Sequence, residues 1–254
     1  MSLTDSDEVA QARRALLSSA AVTVFTGAGI STSSGIPDYR GPQGVWTRDP
    51  SAERMATLDH YLGDPDVRRR SWRNRLESPM LHATPNPAHD AVVELERAGT
   101  VLGVVTQNVD GLHQQAGSDP SLVIELHGNM HWTRCWSCGD RRTMTEAVDR
   151  VRAGEEDPRC LLCGGILKST TISFGEGLDP MVLARAEAVT DAAEVFLAAG
   201  SSLTVHPAAS LVPRARRHGA VVIIANQEAT PYDGLADVVL RQPLAELLPA
   251  LIAD

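Results

Sequence analysis

"VTVFTGAGISTSSGIPDYRGP", residues 22–42, joins an apolar run of strand character to a glycine turn. Val22-Thr23-Val24-Phe25 leads into Gly27-Ala28-Gly29, the form of a strand end whose backbone amides can cradle phosphate. Two features depart from the ordinary dinucleotide fingerprint. Thr32 stands where a third glycine is wanted, and Gly35-Ile36-Pro37 cuts short the helix that should follow. The stretch therefore predicts a nucleotide site whose first loop is irregular.

Similar apolar runs recur at Val101–Val105, Val123–Leu126, Thr171–Phe174, Val195–Ala199, Val221–Ala225 and Val238–Leu240. Helical stretches alternate with several of them: "DSDEVAQARRALLSSA", "NPAHDAVVELERAG", "DPMVLARAEAVTDAAE" and "PAASLVPRARRHG". Continuous apolar strands alternating with helices indicate a parallel sheet covered on both faces. The expected fold is α/β, a Rossmann-like doubly wound sheet. Two stretches break the alternation. Residues 42–85 are polar and proline-scattered, and 131–168 hold all the cysteines. We read 1–41, 86–130 and 169–254 as the nucleotide-binding domain, 42–85 as a helical insertion and 131–168 as a zinc-ribbon insertion.

The 254 residues are 43% hydrophobic and 22% charged, enough apolar content for a sizeable core. A net charge of −9 argues against direct nucleic-acid or anionic-membrane binding and is compatible with a cationic peptide substrate. No run approaches the ~18 apolar residues of a membrane span. "MSLTDSDEVAQARR" lacks the basic-then-apolar layout of a secretion signal. The expected location is the cytoplasm.

"CWSC" at 135–138 and "CLLC" at 160–163 form two C-x2-C pairs 21 residues apart, each followed by glycine. Such a pair can place two thiolates on one tetrahedral ion. Cys135, Cys138, Cys160 and Cys163 together fill a zinc shell and leave no open position, so one structural ion is expected. Redox-active pairs are the weaker alternative, since they need only one pair.

The strand ends carry the polar chemistry. Gln107, Asn108, Asp110 and His113 follow "VLGVV", His127-Gly128 follow "LVIEL", Gly200-Ser201-Ser202 follow "VFLAA", and Asn226-Gln227-Glu228 follow "VVIIA". In a parallel sheet these ends converge on one crevice. The glycine turn suits phosphate, and the Asn226–Glu228 cluster suits ribose hydroxyls. His127 is the strand-end group able to exchange protons near neutrality. No G-x-S-x-G is present and every cysteine is assigned to metal, so a cofactor or substrate must supply the reacting atoms.

Taken in order, G-A-G-I-S (27–31), G-I-P-D-Y-R-G (35–41), T-Q-N-V-D-G-L-H (106–113), L-H-G (126–128), the cysteine pairs, F-G-E (174–176), G-S-S-L-x-V-x-P (200–207) and N-Q-E (226–228) closely resemble the sirtuins, NAD-dependent protein lysine deacylases. The resemblance covers about residues 20–250. It implies that Gly27, Ala28, Gly29 and Ser31 surround the pyrophosphate and that Pro37, Asp38, Tyr39 and Arg40 form a mobile cofactor loop. It places the nicotinamide pocket at Asn108, Val109 and Asp110, with Gln107 near the ribose. His127 becomes the general base. The adenosine end falls to Gly200, Ser201, Ser202, Asn226, Gln227 and Glu228, with Leu244 near the adenine. Phe174, Gly175, Glu176 and Val205 become the cleft edges for an acyl-lysine peptide.

The implied reaction is attack of the acyl oxygen on C1′ of the nicotinamide ribose, release of nicotinamide, and formation of free lysine and O-acyl-ADP-ribose. Protein mono-ADP-ribosyl transfer would use the same site, and a non-enzymatic NAD-sensing or zinc-ribbon binding module would need no base. Members that prefer acidic acyl groups carry Tyr-x-x-Arg in the helical insertion. Here Ser71 or Trp72 stands near the tyrosine position, with Arg75 after it, which argues against acidic acyl groups. The run Arg68–Arg70 is read as a solvated helix face.

Overall fold

The computed structural model describes residues 6–38, 44–49 and 52–253. Its strands in chain order are β1 (Val22–Thr26), β2 (Val101–Thr106), β3 (Val123–Glu125), β4 (Trp132–Cys135), β5 (Arg141–Thr143), β6 (Leu167–Ser169), β7 (Val195–Ala199), β8 (Val221–Ala225) and β9 (Val238–Leu240). Six of them form a sheet in the order β3-β2-β1-β7-β8-β9, with every neighbouring pair parallel. The chain builds outward from β1 to β3, then returns to the other side of β1 and builds the opposite way. That reversal puts a switch point between the ends of β1 and β7, where ligands of doubly wound sheets bind.

The apolar runs are continuous because both sheet faces are covered. Val22 and Val24 join a core with Leu16, Val92, Leu247 and Leu251 from the helices Asp7–Ser18, Pro87–Arg97 and Leu244–Ile252. Phe25 points to the other face, in a core with Phe196, Ala186 and Val212. Leu244 belongs to the first core and is 8% exposed. It is the first residue of the helix Leu244–Ile252, with its side chain in that core.

The run Thr171–Phe174, expected as a strand, is not one. Beyond Ser169 the chain leaves strand geometry and crosses toward the helical insertion. The Ile172 amide donates to the His127 carbonyl at 2.8 Å, and the Phe174 amide to Ala56 O at 2.8 Å. The apolar side chains here line a cavity instead of a sheet face.

The two insertions share one core. β5-β4-β6 form an antiparallel sheet, and the helix Met144–Arg152 buries Met144, Val148 and Val151 against it. Into that cluster goes Trp72, fully buried, from the helix Pro65–Leu76 of the other insertion. Arg68 fastens the same joint and corrects its reading as a solvated side chain. It is 3% exposed, donates from Nε to Asp157 at 3.0 Å, and donates from its terminus to the carbonyls of Tyr61 and Leu62. A buried guanidinium needs such partners to offset lost hydration. Arg69 and Arg70 do face solvent, on Asp66 and Asp49.

Candidate functional site

At the switch point two glycine turns nest. The Gly27 amide donates to Ala199 O at 3.1 Å and the Gly29 amide to Gly200 O at 2.8 Å. A β-carbon on Gly29 would sit 2.7 Å from Gly200 Cα, and one on Gly200 would sit 2.5 Å from the Ile30 amide. Gly200 also has φ +69°, where side chains are strained. The third fingerprint glycine is dispensable because no regular helix follows. Residues 28–30 and 32–34 are 3-10 turns, and exposed Thr32 caps them by donating to Gly29 O. Gly200→Ala is expected to cost about 2–4 kcal/mol of stability or of nucleotide affinity. Calorimetric titration with NAD beside a melting curve measures both, and an unchanged variant would refute the nesting.

Behind this turn lies a buried polar network. Asn108 donates from Nδ2 to Gly27 O at 3.2 Å and to Ser31 Oγ at 3.0 Å, and Ser31 Oγ donates to Asp110 Oδ2 at 2.8 Å. The amide oxygen of Asn108 is left without a partner among the described residues. Asn86 ties the loop from outside, donating to Ile30 O at 2.8 Å while it caps the helix Pro87–Arg97. His113 Nε2 lies 2.9 Å from Thr26 Oγ1, and its ring meets that of His89 at 5.1 Å. Burial, with His89 adding to it, pushes His113 down to about 3, and burial also lowers His89. Both rings are neutral supports.

His127 follows β3 in a turn that only glycine can complete. A β-carbon on Gly128, at φ +72°, would lie 2.1 Å from Thr170 O. His127 Nδ1 stands 3.0 Å from Gln107 O. A carbonyl can only accept, so Nδ1 carries the proton and donates. Nε2 is left as a free acceptor, with no partner among the described residues. Burial lowers the imidazole below its ordinary value, against the pull of the Gln107 bond, so the ring is a neutral base at pH 7.

These groups open on one cavity of about 870 Å³, within the range of cofactor sites. Gly27, Ala28 and Gly29, then Gly200, Ser201 and Ser202, line one part of it, with Asn226 and Glu228 at that end. Asp38, Gln107, Asn108, Val109 and His127 line the middle, and Phe174, Gly175, Glu176 and Val205 a further edge. Ser31, Pro37, Asp110, Gln227 and Leu244 do not line it. Ser31 and Asp110 stand one layer back as supports, Gln227 and Pro37 are exposed, and Leu244 is in the core. Tyr39 and Arg40 lie outside the described residues.

Tyr61, Ser71, Arg75 and Lys168 also line the cavity; the Tyr-x-x-Arg comparison marks the positions of Ser71 and Arg75, but no motif points to Tyr61 or Lys168. Arg75 donates to Ser71 and, at 2.9 Å, to Ser169 Oγ, and its guanidinium lies 5.1 Å from the Trp72 ring centre. Lys168 pairs with Glu176 at 2.9 Å, and burial pulls its ammonium below the usual value against that carboxylate. It is the chain's only lysine, the one signal that could have singled it out.

Away from this cavity, the sulfur atoms of Cys135, Cys138, Cys160 and Cys163 lie within 4.8 Å of one another. Cys135 and Cys163 are 3.5 Å apart and Cys138 and Cys160 3.7 Å. A tetrahedron of ~2.3 Å zinc–sulfur bonds has edges of about 3.8 Å. The four residues fit one zinc ion, and no ligand position is left for water.

Known proteins share this arrangement. The Sir2 family model matches residues 27–207. NAD-dependent protein deacetylase 2 of Streptomyces coelicolor is 54% identical over 91% of this chain and 96% of its own length. NAD-dependent protein deacetylase of Sulfolobus acidocaldarius is 42% identical over 97% of this chain and 95% of its own. A solved Sir2 structure with p53 peptide and NAD+ superposes with a TM-score of 0.83 at 35% identity, covering 92% of this chain and 93% of that one. With the sheet order, the glycine nest and the strand-end histidine all in place, this chain belongs to the Sir2 family.

Proposed function

We infer that this protein is an NAD-dependent protein lysine deacylase, most simply a deacetylase, that moves the acyl group of lysine to ADP-ribose and releases nicotinamide. The observation that carries this reading is His127, whose Nδ1–H is spent on Gln107 O, in the cavity that Asn108 also lines. Bound NAD supplies the electrophilic ribose carbon and the nicotinamide leaving group. The chain's own residues do the rest. The Gly27–Gly29 turn and the Gly200–Ser202 loop hold phosphate and adenosine ribose by backbone, with Asn226 and Glu228 toward the hydroxyls. Asn108 Oδ1 accepts from a carboxamide, backed by Ser31 and Asp110, and Val109 covers its face. His127 Nε2 accepts a ribose hydroxyl proton. The backbone edges at 175–178 and 202–205 take an extended peptide between them. Positioning, exclusion of water and one base are what the protein contributes.

We assign 1–41, 86–130 and 169–254 to cofactor binding and the two insertions to a joint module that walls the acyl end. Among the described residues no helix is long and apolar enough to cross a membrane. Four free thiols at a zinc site suit a reducing compartment, so we place the protein in the cytoplasm.

One observation favours a wider acyl range than the missing tyrosine implied. Arg75 brings a guanidinium to the cavity wall, and among the described residues no carboxylate pairs with it. An acyl chain ending in a carboxylate would fill that need. The test is a panel of acetyl-, malonyl- and succinyl-lysine peptides with NAD, read by mass spectrometry. Nicotinamide and O-acyl-ADP-ribose are expected in equal amounts. Labelled protein without deacylated peptide would instead mean ADP-ribosyl transfer. Arg75→Met is expected to raise KM for succinyl-lysine about tenfold and to spare acetyl-lysine. An equal effect on both would reduce Arg75 to a structural role.

A further inference from the structure

The outer face of the β5-β4-β6 sheet carries charge in an arrangement that works against the sheet. Strand β4 alternates strictly. Thr133 and Cys135 are buried, while Trp132, Arg134 and Trp136 face out, with both tryptophans 38% exposed. Register then sets Arg134 directly opposite Arg141 on one side and opposite Lys168 on the other. Three cations thus stand in one cross-strand row. Like charges directly opposed in a sheet are destabilising, and this chain has 32 acidic against 23 basic residues with which to relieve them.

Relief is only partial. Lys168 has Glu176, and neighbouring Arg142 has Asp140 and Glu146. Among the described residues neither Arg134 nor Arg141 pairs with a carboxylate. Each is held over indole instead: Arg141 lies 4.5 Å from the Trp132 ring centre and Arg134 5.7 Å from that of Trp136. Stacking on indole orders the guanidinium and leaves its N–H donors free for an anion. A pocket of about 70 Å³ opens beside the row, lined by Arg134, Trp136, Thr170 and the Lys168–Glu176 pair. Lys168, Ser169, Ile172 and Glu176 also line the large cavity on their other side. The strip is therefore continuous with the wall of the acyl-lysine site.

We propose that this Trp132–Arg134–Trp136–Arg141 strip docks an acidic stretch of the acylated polypeptide, with an aspartate or glutamate side chain seated against Arg134 in the small pocket. The inference rests on the deacylase reading above. The same surface chemistry could stack a single-stranded nucleic acid, but the wall shared with the acyl-lysine site favours a polypeptide.

The experiment compares acetyl-lysine peptides whose flanks on both sides are Asp/Glu-rich or the matched Asn/Gln. Acidic flanks are expected to raise kcat/KM about three- to tenfold through KM, an advantage that shrinks in 0.5 M salt. The Arg134→Gln/Arg141→Gln double variant should lose that advantage and keep the neutral-peptide rate and the KM for NAD. Equal rates on both flanks, or a double variant slowed on the neutral peptide as well, would overturn the strip. So would a double variant that loses binding of a labelled oligonucleotide while its peptide preference stays. If no peptide turns over, the deacylase reading fails, and calorimetry of the unacylated peptides with the whole protein still decides between acidic and neutral flanks.

Discussion

Replacing His127 with alanine is expected to lower kcat by about 10²- to 10⁴-fold, the usual contribution of a positioned general base, while NAD affinity stays within about threefold. The reasoning is geometric. The ring reaches the cavity from a turn fixed by Gly128, its Nδ1 proton is committed to Gln107 O, and Nε2 has no other partner among the described residues. The nucleotide would be held elsewhere, by the glycine nest and the Asn226 end, so binding survives the loss. The wild-type pH profile carries the sign. A base must be neutral to act, and burial lowers this imidazole, so the acid limb of kcat/KM should fall below the ordinary histidine range near ~6.5. In His127→Ala that limb should vanish. Single-turnover kinetics with calorimetry separates the two effects. Unchanged turnover in the variant would refute His127 as the general base, and lost NAD affinity would make it a binding residue.

The second large effect is expected at the cysteines. Cys135→Ser, or prolonged chelation, should remove one zinc per chain and cost on the order of 5 kcal/mol, part of the ~10–16 kcal/mol that four-ligand sites supply to zinc-finger peptides. Losses of that size rival the whole stability of a domain. The module's own core explains the dependence. It contains Trp72, Met144, Val148 and Leu167, with Cys135 and Cys160 inside it, so the thiolates are core residues as well as ligands. Because Trp72 and Arg68 join the helical insertion to the same unit, the acyl end of the cavity, Tyr61 and Arg75 included, should loosen with it. Mass spectrometry of native protein counts the zinc, and near-ultraviolet circular dichroism follows the tryptophans. Leu161→Ser, on an exposed knuckle position at 61% exposure, is the control that should change neither. A zinc-free Cys135→Ser protein with full activity and an unaltered melt would refute a structural ion.

The residues legible in the sequence are those whose geometry is written in local spacing. Gly27, Gly29 and Gly200 are needed because backbones touch, the C-x2-C pairs because two thiolates must reach one ion, and His127-Gly128 because the turn tolerates no side chain. The misplaced residues were judged by neighbours in sequence. Arg68 stood in a charge run and is buried by a carboxylate 89 positions away. Thr171–Phe174 had strand composition, but its apolar faces are satisfied by a cavity wall.

By itself the sequence determined the parallel α/β sheet, the glycine turn, the cysteine quartet and the histidine at a strand end. Periodicity and fixed spacing are properties of a single element or a single ion. Only the tertiary structure decided that β1 and β7 meet at the switch point, that two separate insertions pack as one module, and that Arg75 and Lys168 face the cavity. It also decided that three cations line up across the small sheet. A side chain's own element sets the direction it points, but what it meets there is set by the long-range packing of other elements.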